Sequence, residues 1–295
     1  MLLSQVFCYN PKMIIDAHAH VFSPRVVSHR EEYLRRDPGF ALLYGKREAR
    51  LATVQELLES MDRCGVDKSV IAGIGWTNQE LCVENNDYIL ECLMRYPQRL
   101  VGLASVQPRA GDVSLKELER CVQGGVRGVG EMRADVQGFG LDTGVLADIA
   151  AYLTSHNLVW LSHASEPVGH TYQGKGAITP EVLYPFILRY PTLKIILAHW
   201  GGGLPFYATM PEVDTALKNV YFDTAASPYL YNKTVYRQVV DIIGAERVLF
   251  GSDYPLISPA RSLAEIRAAG LTEMEQAAVT GGNARRLFGL EDGVC

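Results

Sequence analysis

Short apolar runs of strand length alternate with longer segments of helical spacing along the whole chain. The apolar runs predict eight strands, at residues 13–18, 68–73, 100–106, 126–131, 158–163, 194–199, 220–224 and 247–252. The helical spacing predicts one helix after each strand, at residues 54–64, 80–96, 115–123, 144–156, 180–189, 205–217, 233–243 and 262–268. The strand runs are almost wholly apolar, which is typical of parallel strands covered by helices. Eight such units predict an α/β fold, a closed (β/α)8 or TIM barrel.

The main alternative to a barrel is an open, doubly wound sheet. Its usual mark is a Gly-x-Gly-x-x-Gly turn after the first strand, and in this chain the first strand ends in histidines instead. The glycines at 201–203 lack both that spacing and the Lys-Ser/Thr pair of a phosphate loop. The pattern therefore favours the closed barrel.

Two connections are much longer than the few residues that usually join a strand to a helix. They lie at residues 21–53 and 164–179, and in a barrel both would cover the same face. We interpret them as loops that select the substrate. Residues 13–295 are predicted to form a single catalytic barrel, and residues 1–12 an N-terminal extension that is dispensable to the fold or an upstream start.

Composition narrows the class of protein. The 295 residues are 48% hydrophobic and 21% charged, with a formal net charge of −5 and no run of basic residues, so nucleic acid is not expected as a partner. No apolar run approaches the ~20 residues of a membrane span, and no secretory signal opens the chain. Six scattered cysteines form no Cys-x-x-Cys pair. We expect a cytoplasmic enzyme that acts on a small molecule and can form a homodimer.

Metal-binding side chains collect where the predicted strands end, which is where barrels carry their catalytic groups. His18 and His20 are two residues apart, so their side chains point to the same side of a strand and can bind one ion. A divalent metal such as zinc takes three or four nitrogen or oxygen ligands, and His163 and Asp253 are the remaining candidates. Glu131 and His199 end two further strands.

The chain resembles the amidohydrolase superfamily, in the branch that includes aminocarboxymuconate semialdehyde decarboxylase. The resemblance rests on IDAHAH at 15–20, LAHWGG at 197–202, FGSDYP at 250–255 and GNARRLF at 282–288. It implies a barrel of the metal-dependent hydrolase type. The implied metal ligands are His18, His20, His163 and Asp253, with His199 close by.

The number of metal ions depends on Glu131. Two-metal members of the superfamily place a bridging ligand on the fourth strand, whereas the decarboxylase branch holds one metal. Glu131 is interpreted as a metal ligand in preference to an ordinary ion pair with Arg133 or Arg127, because a carboxylate is costly to bury without a cation. One or two divalent ions are expected, zinc first, with manganese or another divalent ion as the alternative.

The function predicted from this site is hydrolysis of a C–N or C–O bond in a small amide, ester or lactone. A metal-activated water would attack, with Asp253 as proton shuttle and His199 as oxyanion donor, second-metal ligand or orienting group. The first alternative is a metal-dependent, non-oxidative decarboxylase of a small unsaturated carboxylic acid, and the second is a non-catalytic metal-binding barrel.

Five residues after the strand ends are candidates for contact with the substrate. They are Trp76, Arg133, His170, Tyr172 and Trp200. Arg133 could bind a substrate carboxylate through its planar guanidinium. For the aromatic residues, packing at the barrel rim is an equal alternative. Asp223 on the seventh strand is either a hydrogen-bond acceptor behind the metal ligands or a polar residue of the barrel interior.

Overall fold

The computed structural model describes residues 13–141 and 143–290, and the predicted extension at 1–12 lies outside the described residues. Eight parallel strands form the centre of the molecule. They are β1 (Ile15–His20), β2 (Lys68–Ala72), β3 (Leu100–Gly102), β4 (Gly128–Met132), β5 (Val159–Ser162), β6 (Lys194–Leu197), β7 (Val220–Asp223) and β8 (Val248–Leu249).

The strands follow one another in chain order around a closed ring. Regular parallel pairing joins β1, β2 and β3 in that order, and β4 through β8 in chain order. The isolated pair Ala104–Val129 links β3 to β4, and the pair Ala19–Tyr254 links β1 to the segment after β8. The amide of Ala17 also donates to the carbonyl of Phe250, at 2.7 Å, across the junction of the first and last strands. The predicted (β/α)8 barrel is confirmed.

Helices surround the strands. They are α1 (Pro24–Ser28), α2 (Arg30–Arg36), α3 (Pro38–Tyr44), α4 (Val54–Cys64), α5 (Gln79–Arg95), α6 (Asp112–Gln123), α7 (Ala134–Gln137), α8 (Ala147–Ser155), α9 (Pro180–Arg189), α10 (Pro211–Ala216), α11 (Ser227–Leu230), α12 (Val235–Ile243), α13 (Pro259–Arg267), α14 (Glu273–Ala277) and α15 (Asn283–Phe288). None of these described helices combines the length and the apolar character needed to cross a membrane.

Two predicted segments differ from the structure. Residues 21–53 were expected to be a loop, yet they contain α1, α2 and α3, two of which begin at a proline that follows a side-chain cap. The predicted helix at 205–217 is α-helical only in α10, and 3-10 turns cover the residues on either side. Tight turns cover His199–Thr209 before it, because the chain there takes positive φ values that interrupt a regular helix.

Several strands end earlier than predicted, which changes how the site residues are held. β5 ends at Ser162, so His163 follows it, and β6 ends two residues before His199. β8 covers only Val248–Leu249, and Asp253 lies four residues beyond it. His199 and Asp253 both have positive φ, at 56° and 60°. His163, His199 and Asp253 therefore lie on the turns that follow their strands, whereas His18, His20 and Glu131 lie within strands.

Two apolar layers explain why the strand sequences are so uniformly hydrophobic. Inside the barrel, residues such as Val70, Leu161 and Leu249 pack together and against Phe288 of α15. A larger layer fills the space between the strands and the outer helices. The strands are buried on both faces, so most of them are apolar throughout, and β1, with the sequence IDAHAH, is the strand in which polar and apolar residues alternate.

The start of α4 offers a local test of stability. The hydroxyl of Thr53 accepts from the amide of Glu56, and the Glu56 carboxylate accepts from the amide of Thr53 at 2.9 Å. We expect Thr53→Ala to lower the free energy of unfolding by about 1 kcal/mol, measured by urea denaturation. Thr179, which precedes α9 without a capping side-chain bond, is the matched control. An equal loss in Thr179→Ala would contradict the capping explanation.

Candidate active site

A cavity of about 390 Å³ opens at the end of the barrel where the strands stop. His20, Glu131, His163, His199 and Asp253 line it. Its volume lies within the range of roughly 300–1,000 Å³ that is usual for small-molecule sites. Five of the six strand-end residues singled out in the sequence thus line one chamber, and His18 lies buried behind His20.

His18, His20 and Asp253 form the first group of donors. Nδ1 of His18 lies 2.8 Å from Asp223 Oδ2, and Nδ1 of His20 lies 3.2 Å from the carbonyl oxygen of Ala72. Both partners accept hydrogen bonds, so each Nδ1 carries a proton and each Nε2 turns the other way. The Nε2 atoms of His18 and His20 are 3.0 Å apart, and Asp253 Oδ1 lies 3.3 Å from His20 Nε2.

This donor set fits a cation. Two imidazole lone pairs and a carboxylate oxygen at these distances repel one another unless positive charge lies between them. The three ligand atoms lie within 4.8 Å of one another, and two nitrogens with one oxygen are suitable ligands for zinc or manganese.

Asp223 orients this group. Besides the bond to His18, its other oxygen accepts from the backbone amides of His199 at 2.9 Å and Ala225 at 3.0 Å. It is therefore a hydrogen-bond acceptor behind His18, which matches the first of the two roles considered for it. A carboxylate on the far nitrogen of a ligating histidine fixes the tautomer and the ring direction.

Glu131, His163 and His199 form the second group. Glu131 Oε1 lies 2.8 Å from His163 Nδ1 and 3.6 Å from His199 Nε2, and Glu131 Oε2 lies 3.6 Å from His20 Nε2. The other nitrogen of His163 lies 3.1 Å from the hydroxyl of Ser165. The structure thus places His163 with Glu131, and not with the three donors beside which it was predicted to bind.

The alternative of an ordinary ion pair for Glu131 is wrong. Within the described ranges no ion pair joins it to Arg133 or Arg127, and Arg133 pairs with Asp135 at 3.2 Å instead. Among the residues that the structure describes, the ion-pair contacts of Glu131 are all with histidines.

The electrostatics of the site favour positive charge. Burial would lower the pKa of His18, but the carboxylates of Asp223, Glu131 and Asp253 raise it to about 10. Burial also opposes the charge on His199, and hydrogen bonding to Glu131 with the nearby carboxylates raises its pKa to about 9. Burial would raise the pKa of Asp253, yet His20, His18 and His199 hold it at about 2. The same ionised carboxylates would attract a divalent ion.

Of the five predicted substrate contacts, Arg133, His170 and Tyr172 line the cavity. Trp76 does not line it, because its ring stacks on the ring of Phe40 in α3, with the ring centroids 5.4 Å apart. Trp200 does not line it either. Its indole nitrogen donates to Ser227 Oγ at 2.6 Å, and its ring packs on Tyr236. Both are packing residues at the rim.

The sequence prediction missed several residues of the wall. Tyr44 and Arg50 come from the segment predicted to be a loop, Tyr229 and Leu230 from α11, and Leu256 from the turn after β8. Only their position in the segments that follow strands could have indicated them.

A parallel barrel with histidine and carboxylate donors after its strands is typical of metal-dependent enzymes. The family model described as amidohydrolase, Amidohydro_2, matches residues 15–290, and the chain belongs to this family. It is accordingly an enzyme of the amidohydrolase superfamily, as the sequence motifs indicated.

Individual relatives narrow the chemistry. Over 251 residues the chain is 25% identical to gamma-resorcylate decarboxylase from Polaromonas sp., covering 70% of this chain and 75% of that protein. Over 238 residues it is 24% identical to 2-amino-3-carboxymuconate-6-semialdehyde decarboxylase from Dictyostelium discoideum, covering 70% and 66%.

A solved structure is similar over nearly the whole chain. It is 5-carboxyvanillate decarboxylase from Novosphingobium aromaticivorans, complexed with manganese and 4-hydroxy-3-methoxy-5-nitrobenzoic acid. The TM-score is 0.77 at 18% identity, with 98% of this chain and 100% of that chain covered. The two relatives matched in sequence are decarboxylases, so the expectation that this chain hydrolyses a C–N or C–O bond is wrong. They agree with the first alternative.

Proposed function

We propose that this chain is a metal-dependent, non-oxidative decarboxylase of a small unsaturated or aromatic carboxylic acid. The observation that carries the proposal is the group of His18, His20 and Asp253, with two Nε2 atoms 3.0 Å apart beside the cavity. The decarboxylase relatives support the reaction type.

The proposed ligands of the ion are His18, His20 and Asp253. Glu131 and His163 lie next to them, and Glu131 is the residue through which a second ion would be shared. Manganese is the first ion to test because a similar structure contains it, and zinc stays a prediction. When bound, the ion would supply positive charge that orients the substrate and stabilises the negative charge developing during the reaction.

The chain's own residues provide the rest of the reaction. Breaking the bond to the carboxyl carbon releases carbon dioxide and leaves an electron pair on the substrate carbon, which must then receive a proton. His199 is the proposed donor, because its Nδ1 faces the carbonyl of Ala225 at 3.2 Å and its Nε2 lies on the cavity side near Glu131.

The walls favour loss of charge from the reacting carboxylate. Leu43, Ile74, Leu230 and Leu256 line the cavity above the donors. An apolar wall solvates a carboxylate poorly and neutral carbon dioxide well, so it favours the product side of the cleavage.

The test is direct measurement of carbon dioxide. We expect the manganese-loaded protein to release it from gamma-resorcylate, 5-carboxyvanillate or a related hydroxybenzoate, and the rate to fall to background after chelation and recover when the metal is restored. Carbon dioxide release that survives removal of the metal would refute the metal's role. Consumption of these acids without carbon dioxide would refute decarboxylation.

A further inference from the structure

Arg133 is a buried cation on the wall of the cavity. It directly follows β4, two residues after Glu131, and it is 1% exposed. Buried arginines are normally fully paired, since each N–H group taken from water needs a new acceptor. Arg133 departs from that rule.

One nitrogen of this guanidinium is fully engaged and two are not. Nη2 donates to Asp135 Oδ2 at 3.2 Å and to the carbonyl oxygen of Gly174 at 2.9 Å, which fixes the plane of the group. Nε and Nη1 have no hydrogen-bond partner among the described residues. The backbone is fixed as well, because the Arg133 amide donates to the side chain of Gln137 at 3.0 Å.

Rigid placement and free donors together indicate a ligand. Gly174 and Arg133 both line the cavity, so the guanidinium lies in its wall, in contact with the 164–179 segment. A guanidinium prefers a carboxylate or another oxyanion as its partner. The metal-binding group of His18, His20 and Asp253 is a second point of attraction for anions in the same chamber.

We propose that Arg133 is a specificity-determining residue that binds an acidic substituent which the substrate keeps, while the carboxylate that is lost lies elsewhere in the cavity. The inference rests on the proposed decarboxylation and adds a substrate class. The preferred substrates carry two acidic groups, such as a dicarboxylic acid.

The chemistry of the cleavage explains why Arg133 binds the retained group. During decarboxylation the leaving carboxylate loses its charge as it becomes carbon dioxide. An ion pair to that group would stabilise the ground state more than the transition state, and would slow the reaction. An ion pair to a group that stays charged is equally strong in both states, so it holds the substrate without raising the barrier.

The test measures binding, so it does not depend on turnover. Calorimetry on the manganese-loaded protein would compare benzoate with phthalate, isophthalate and terephthalate, which place a second carboxylate at each position of the ring. We expect at least one dicarboxylate to bind roughly tenfold or more tightly than benzoate. In Arg133→Met we expect that preference to fall by roughly tenfold or to vanish, with benzoate affinity unchanged.

Two further variants separate recognition from folding. Arg133→Lys keeps the positive charge and should retain part of the preference for dicarboxylates. It replaces Arg133→Met in the test if the methionine variant does not fold. Arg127→Met removes an exposed arginine at the opposite end of the same strand and should bind like the unchanged protein. A folded Arg133→Met or Arg133→Lys protein with the full preference, or no preference in the unchanged protein, would overturn the inference. Failure of decarboxylation alone would appear as tight dicarboxylate binding without carbon dioxide release.

Discussion

Replacing His20 with alanine is expected to lower the rate of carbon dioxide release roughly a thousandfold or more, with loss of the bound metal. A metal ion contributes several kcal/mol to such a reaction, and each 1.36 kcal/mol changes the rate tenfold. His20 is the better target of the two strand-one histidines because it lines the cavity. His18 is completely buried, and its removal would leave Asp223 without its partner.

Metal content by elemental analysis and the rate of carbon dioxide release are the two measurements. Asp223→Asn is the graded comparison, because it weakens the bond to His18 Nδ1 without removing a ligand. We expect its metal affinity to fall by about 10- to 100-fold, and its activity to return at high metal concentration. A His20→Ala protein that keeps both its metal and its rate would show that this group is not the metal site.

The order of strands and helices in the barrel could be predicted from the spacing of apolar residues in the sequence. Parallel strands buried on both faces give short, uniformly apolar runs, and all eight were recognisable. The pair His18 and His20 was equally recognisable, because the period of two on a strand fixes their common direction. The positions of the strands and the common direction of the two histidines depend on residues that are close together in the chain, so both can be predicted from the sequence.

Short helices stabilised by contacts from elsewhere in the fold are harder to predict. Helices α1, α2 and α3 have at most seven residues, too few to be stable alone. Phe40 of α3 is held by stacking on Trp76, which follows another strand. Local signals did exist, since Ser23 and Asp37 each cap a helix that begins with proline.

The directions of side chains on turns also could not be predicted from the sequence. His199 and Trp200 both take positive φ, a conformation that the pattern of residues does not reveal. One of them consequently lines the cavity while the other is buried against Tyr236. The division of six donors into two groups depends on the same turns.

The reaction type was mispredicted for a chemical reason. A divalent ion held by histidines and a carboxylate can activate water or stabilise a developing carbanion, and the ligand set is compatible with both. In the proposed reaction the distinction comes from the groups around the ion, which are the apolar wall, Arg133 and His199 of the same cavity. Those residues come from separate turns and converge only in the folded barrel.

His199→Asn is the second change expected to have a large effect. We expect the rate of carbon dioxide release to fall about a hundredfold to ten-thousandfold, the usual range for loss of a positioned acid, with metal content unchanged. Asparagine tolerates the positive φ of 56° at this position better than most residues, so the turn should keep its shape. His156→Asn replaces an exposed histidine beyond α8 and serves as the control.

Solvent exchange separates the proton-donor role from a ligand role. A group that protonates the carbon in the forward direction must remove the same proton in reverse, so the unchanged protein should exchange deuterium from heavy water into the product at the carbon that lost the carboxylate. In His199→Asn this exchange should slow in parallel with carbon dioxide release, while the metal stays bound. If the variant instead loses its metal, His199 is a ligand, and if exchange continues at the original rate, the proton comes from another group, with Asp253 the next to test.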